Sequence, residues 1–249
     1  MITRKYGWRP DLPDHRDYIC DLKVKKSAPK TLDLRKSGNL PEVYDQGQTS
    51  SCTGNAIAAA IQYGLKCQGK DPFIPSRLFI YYNERLIEGT VNDPDAGAMI
   101  RDGIKSVANQ GVPPETYWPF DINRVIEKPD LKAYNQAQRS IIKQYSRVPV
   151  KLSNIQNVLV HNIPIVFGMT LYNSFMEDRV ASTGVVPMPT STDTVVGGHA
   201  MLIVGFDDKN FIVRNSWGEG WGENGYCYIP QEYITNENLA DDFWAIFLS

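Results

Sequence analysis

The sequence predicts an α+β fold in which a helical lobe precedes a β-rich one. Three observations carry that reading. Between residues 50 and 111 apolar side chains recur at three- and four-residue steps, bracketed by capping residues and terminal glycines. Between 163 and 248 they gather instead into short β-branched and aromatic runs. The first 30 residues, with Pro10, Pro13 and Pro29 and many charges, follow neither pattern. The division expected is an N-terminal extension over 1–30, a mainly helical lobe over 31–150 and a mainly β lobe over 151–249, with the last strand free to pair across the lobes.

Each element has a local reason. The proline-stiffened start is an extended arm over a folded body, because its apolar positions have no period that could build a core. Ser50 or Ser51 caps a buried helix over 52–66, with Ala56, Ile57, Ala60, Ile61 and Leu65 turned inward. Pro75 and Ser76 open a second helix with Leu78, Phe79, Tyr82 and Leu86 on one face and Gly89 as its stop. A third runs over 98–110, with Met99, Ile100, Ile104, Val107 and Ala108 as its apolar face and Gly111 as a left-handed terminal residue. The stretch 123–146 is polar and irregular and reads as helix and loop. Ser153 and Gln156 have the spacing of a capping box for a short helix to Val160. Strands are expected over 163–171, 200–206, 211–215, 225–229 and 243–248, with turn chemistry at 207–210.

Composition removes several function classes. At 249 residues, 42% apolar and 22% charged, the chain is an ordinary globular protein. Its 26 Lys and Arg against 28 Asp and Glu leave no attraction for a phosphate backbone, so nucleic acid is not an expected partner. No apolar run nears the ~18 residues of a membrane span, so no membrane is expected either. Residues 1–10 lack the apolar core of a secretory signal. A soluble protein is expected, its compartment open, with secretion or a lysosome-like location if a signal has been removed. Four cysteines are too few for a disulfide scaffold. There is no CxxC pair, no HExxH and no dense carboxylate loop, so no metal and no cofactor are expected. Gly218, Gly220, Gly222 and Gly225 fall between strands without the helix a phosphate cradle needs, and read as a tight tryptophan-bearing turn.

The residues left for chemistry are few. Of three histidines, His15 lies in the arm and His161 beside Pro164, both bland settings; His199 follows Gly197 and Gly198 at the mouth of a strand, where it can face a cleft. Cys67 and Cys227 read as small buried hydrophobes. Cys52 stands at the amino end of a helix, where aligned amides favour a thiolate, and an imidazolium from His199 is the economical partner for it.

Three blocks then resemble the papain-like cysteine peptidases: 45–52 (DQGQTSSC), 198–200 (GHA) and 215–226 (NSWGEGWGENGY). Gln46 precedes Cys52 by six positions and His199 precedes Asn215 by sixteen, as in that family. The likeness spans about 30–249 and is of the form met in bacteria, archaea and viruses. It implies a two-lobed papain-like fold, a helical lobe and a β-barrel-like lobe with a cleft between. It also implies a thiol endopeptidase with Cys52 as nucleophile, His199 as acid and base, Asn215 as the residue orienting the imidazole, and Gln46 with the Cys52 amide as an oxyanion hole. Trp217 shields the His–Asn bond and Trp221 stands nearby. Gly97 and Ala98 align with the pair that binds substrate backbone, and Met99, Ile100, Gly197, Gly198 and Ala200 with the walls of the main pocket, which contain no acid and so favour an apolar P2 side chain over Arg or Lys. Peptides and proteins are the implied substrates, and cystatin-like or epoxide inhibitors the implied ligands. The arm is then either a short autoinhibitory segment, as in a zymogen, or an unattached tail. Thr49 and Thr53 depart from the family's usual Cys and aromatic, so one familiar disulfide is absent. The catalytic set alone does not separate hydrolysis from acyl transfer to an amine, and a non-catalytic binding protein is a remoter reading.

Overall fold

The computed structural model describes residues 4–25, 29–93, 95–137 and 141–249. Helix α1 (Cys52–Cys67) is buried along nearly its whole length, which its run of alanines permits: small side chains let α2 (Arg77–Glu88), α3 (Ile100–Gln110) and the sheet approach from different sides. Ser76 caps α2 by accepting from the Phe79 amide, and Gly89 ends it in the left-handed conformation (φ 72°). Helix α3 starts two residues later than expected. Its final Gly111 has positive φ but an extended ψ of −173°, so it turns the chain out rather than closing a left-handed cap. A short α4 (Leu131–Asn135) is capped by Asp130.

The strands form one antiparallel sheet in the order β2-β7-β3-β4-β5-β6, made from β2 (Ile142–Arg147), β3 (Ile165–Tyr172), β4 (Val195–Phe206), β5 (Asn210–Arg214), β6 (Tyr226–Pro230) and β7 (Ala240–Leu248); the two-residue β1 (Leu32–Asp33) pairs with the end of β4. Strand β4 is long and goes from exposed at Val195 to fully buried from His199 onward, so the histidine sits where the strand enters the body. Helix α5 (Leu152–Leu159) covers the sheet, and α6 (Asp178–Thr183) and α7 (Gln231–Ile234) are short connections.

Three expectations need correction. Strand β2 lies where helix and loop were expected, and it pairs with β7, so the sheet takes in residues on the near side of 150. The Ser153–Gln156 capping box does not form: the turn of Lys151 onto the Pro149 carbonyl brings the chain into α5 early, and Ser153 ends up inside the helix. Cys67 is exposed rather than a core residue, whereas Cys227 is fully buried; all four cysteines are free.

Candidate active site

Two elements bring the chemistry together. Cys52 is the first residue of α1 and has no solvent exposure; His199 lies on β4, which packs along that helix. The amide of Ala200 donates to Cys52 Sγ at 3.4 Å, so the strand that carries the imidazole also touches the sulfur. His199 Nε2 is bonded to Asn215 Oδ1 at 2.8 Å, and Asn215 Oδ1 also accepts from the Ser216 amide. The other ring nitrogen, Nδ1, is buried with no hydrogen-bond partner. The ring of Trp217 lies 5.0 Å from that of His199 and packs in turn on Trp221 and Phe175, closing the His199–Asn215 bond off from water.

Gln46 is held by three contacts. Its Oε1 accepts from Ser216 Oγ at 2.6 Å, while its Nε2 donates to the Thr49 carbonyl at 2.7 Å and to the Lys5 carbonyl at 3.4 Å. The loop beneath it is clamped by Arg77, a buried guanidinium that forms a fork with Glu115, reaches Asn55 Oδ1 and the Asp45 carbonyl, and stacks on Tyr44 and Phe120. Where the usual Cys and aromatic are missing, Thr49 bonds Ser51 and Thr53 bonds the buried Glu84, so the first turn of α1 is tied by hydroxyls. Burial holds the Glu84 carboxyl well above the usual range.

The arm crosses this site. Gly7 lies so close to Ser50 that a side chain there would run into its carbonyl, and its own carbonyl accepts from Ala98 N at 2.7 Å. Trp8 donates its amide to Gly198 O and Arg9 its amide to Ala98 O, each at 3.0 Å, so the arm pairs with Ala98 in the parallel sense. Tyr6 lies edge-on to His199 and packs over Gly197. The indole of Trp8 fills a slot that exists because residue 168 is glycine: an added Cβ would stand 2.0 Å from the ring. At the far end of the slot Trp8 Nε1 donates to Asp242 Oδ2 at 3.0 Å. Asp242 has a left-handed backbone (φ 56°) and a buried carboxylate that also binds Arg147. An acid outside the wall positions named from the sequence therefore closes the far end of this slot, paired with Arg147. Met99 is half-buried and bonded through its amide to Glu88, Ile100 is fully buried at the start of α3, and Ala200 is buried under Cys52.

With the arm in place, burial pushes the Cys52 thiol up to about 11, against the smaller effects of amides from Ala200 and Gly7, and burial pulls His199 down to about 4 despite the Asn215 bond. Both shifts have the same cause, the burial of the two groups under the arm. Among the described residues no group of acids, histidines and cysteines is arranged to hold a metal, and no helix is long and apolar enough to cross a membrane.

Sequence reasoning missed Gly168, Asp242, Arg147 and Arg77. The first is a lone glycine in a strand, a weak sign of close approach; the others are charges whose partners lie far off in the chain.

Fold and site together describe a cysteine-type peptidase, and comparison with known proteins agrees. The profile of the papain family cysteine protease matches residues 28–244, and the chain belongs to that family. It is 41% identical to an uncharacterized peptidase C1-like protein of Acanthamoeba polyphaga mimivirus, over 98% of this chain and 87% of that one. It is 43% identical to the crystal structure of xylellain, a cysteine protease from Xylella fastidiosa, with a TM-score of 0.88 over 99% of this chain and 98% of that one. A cysteine protease of Carica candamarcensis solved in complex with E-64 shares the fold at 24% identity and a TM-score of 0.62, over 81% of this chain and 89% of that one.

Proposed function

We propose that the chain is a thiol endopeptidase whose own first residues close its cleft. One observation carries the reading: the sulfur of a cysteine at a helix amino terminus accepts from the amide next to a histidine that is held by Asn215, and the groove in front is filled by an extended backbone bonded to Ala98 and Gly198. On departure of the arm, water lifts the desolvation that shifts both groups. The amino end of α1 then favours the thiolate, and His199 takes the proton through its unpartnered Nδ1.

In the reaction the Cys52 thiolate adds to a peptide carbonyl, and the oxyanion is met by Gln46 Nε2 and the Cys52 amide. The bond from Gln46 Nε2 to the Lys5 carbonyl supports that role. His199 gives its proton to the leaving amine, and the thioester is then hydrolysed by a water that the same imidazole deprotonates. Asn215 fixes the ring orientation and Trp217 shields the bond. Gly97 and Ala98 bind substrate backbone, as Ala98 binds Gly7 and Arg9. The wall positions Met99, Ile100, Gly197, Gly198 and Ala200 and the slot at Gly168 favour an apolar P2 side chain, Trp221 backing the opposite edge. We assign 31–150 to the mainly helical lobe, apart from β1 and β2, which join the sheet, and 151–249 to the mainly β one. Peptides and proteins are the substrates, and epoxide and cystatin-like inhibitors the expected ligands.

Turnover of peptides with varied P2 residues by the parent and by Cys52→Ala tests this. Loss of turnover in the variant, with an apolar P2 preferred by the parent, supports the reading; turnover that survives the substitution sinks it.

A further inference from the structure

Past the sulfur, on the side away from the Trp8 slot, the arm occupies a second side-chain site. Trp8 and Arg9 lie against Gly198 and Ala98, the Gly7 amide bonds the Cys52 sulfur, and the Lys5 carbonyl accepts from Gln46 Nε2. Arg4 comes next. Its side chain therefore lies where the leaving-group half of a peptide has to pass, beyond the position given to the oxyanion. It is enclosed, with 12% of the side chain exposed. Nη1 donates to Asp45 Oδ1 at 2.5 Å and to the Gly47 carbonyl at 3.3 Å, Nη2 donates to the Trp217 carbonyl at 2.9 Å, and the cation stands 5.8 Å from the centre of the Trp217 ring. The body alone makes this receptor and holds it in place. Asp45 pairs with Trp217 in an antiparallel bridge, flanked by bonds from the Gln46 amide to Ser216 O and from the Gly218 amide to Tyr44 O. Arg77 holds the Asp45 carbonyl, and the Gly47 amide fixes Oδ1 at 2.8 Å. Gly218, at φ 78°, comes so near that an added Cβ would stand 3.3 Å from Asp45 Oδ2.

We propose that Asp45, with the carbonyls of Gly47 and Trp217, forms a subsite for a basic side chain on the leaving-group side of the scissile bond, so that the enzyme prefers Arg or Lys at the first or second residue after that bond. This deepens the peptidase reading and rests on it. The receptor fits a cation: one carboxylate and two carbonyls, all acceptors, converge on one point with an aromatic ring alongside. Arg suits it better than Lys, because a planar fork reaches Asp45 and the Trp217 carbonyl at once. The arm runs from Arg4 on the leaving-group side to Arg9 on the acyl side, whereas the acyl half of a substrate is its N-terminal half. What the arm fixes is thus the place of the head group, which a side chain as long as arginine reaches from either of two neighbouring positions. Asp45 keeps 48% of its side chain exposed even under the arm, so water screens the pair. The gain for a charge over a neutral side chain of the same shape is then about fivefold.

Internally quenched peptides that carry either Arg or citrulline at the first or the second position after the scissile bond test this on the full chain with Trp8→Ala, which weakens the arm. Citrulline keeps the shape and removes the charge. The ratio of kcat/KM for Arg to that for citrulline should be about fivefold at one of the two positions. With Asp45→Asn added, which retains Oδ1 for the Gly47 amide and loses the charge, the ratio should fall to about 1. Each ratio is taken within one protein, so a loss of folded protein or of turnover common to both peptides cancels. The same peptides, dye-labelled, are titrated against Cys52→Ala with Trp8→Ala and read by fluorescence anisotropy, which needs no turnover. Arg bound about fivefold more tightly there, with no peptide cleaved by the protein that keeps Cys52, leaves the subsite standing and sinks the peptidase reading alone. A ratio near 1 at both positions, in rates where the protein cleaves or in affinities where it does not, overturns the subsite, as does a ratio unaltered by Asp45→Asn.

Discussion

Trp8→Ala is the perturbation that separates a plug from a tail. Trp8 is 8% exposed, its ring packs on Gly168 and Gly198, and its Nε1 satisfies a buried carboxylate. Truncating a buried tryptophan costs about 3–5 kcal/mol. The arm's ion pairs with a half-exposed partner, Arg4–Asp45 and Lys5–Asp95, contribute at most about 1 kcal/mol each. Trp8 is therefore the largest apolar term holding the arm down. Each 1.4 kcal/mol is tenfold, so the docking constant should fall by about 10²–10⁴-fold. The assay is peptide turnover by the full chain, with active sites counted by an epoxide thiol inhibitor. The variant should turn over at least tenfold faster per site than the parent, and the inhibitor should react faster by a similar factor. Equal turnover per site, with the variant folded, would refute the reasoning, because the slot would then be occupied without consequence.

Other outcomes follow from the same contacts. Gly168→Val puts methyl groups where the Trp8 ring lies, so the arm should be expelled while the slot narrows: inhibition by the arm falls, and KM for peptides with a large P2 side chain rises more than for those with a small one. Gln46→Ala removes one oxyanion donor and should lower kcat about 100- to 1000-fold with a much smaller change in KM, measured on Trp8→Ala so that arm release is not limiting. Arg77→Ala breaks a buried fork under the Gln46 loop, leaving Glu115 uncompensated; a loss of about 3–5 kcal/mol is expected in denaturant unfolding, with unchanged cysteine reactivity in the folded fraction.

What could be read from the sequence was local. Ser76 and Gly89 bracket α2 because cap chemistry acts within one turn, whereas α1 opens at Cys52 without the serine cap expected, Ser51 Oγ being taken by Thr49 and Asn55. Strand β2 was hidden because its partner supplies its identity: Lys143, Gln144 and Tyr145 show no clean alternation, and the register shifts between Ile142 and Gln144 against β7. Residue type and spacing nominated the candidate set, whereas the burial that shifts Cys52 and His199 had no local signal: it comes from the arm that covers them, and where that arm docks depends on Gly168, far along the chain. Asp242 was missed for a similar reason. The strand was expected to begin at Phe243, whereas it begins at Ala240, and a left-handed residue within it turns a carboxylate into the slot.

The central claim is that Cys52 becomes the activated thiol once the arm is off. It is tested most directly by reacting Trp8→Ala with an epoxide thiol inhibitor and mapping the adduct by mass spectrometry. One equivalent on Cys52, with exposed Cys67 and half-buried Cys20 unmodified over the same time, is the predicted result. Labelling of Cys67 at a comparable rate, or an unreactive Cys52 in folded protein, contradicts it.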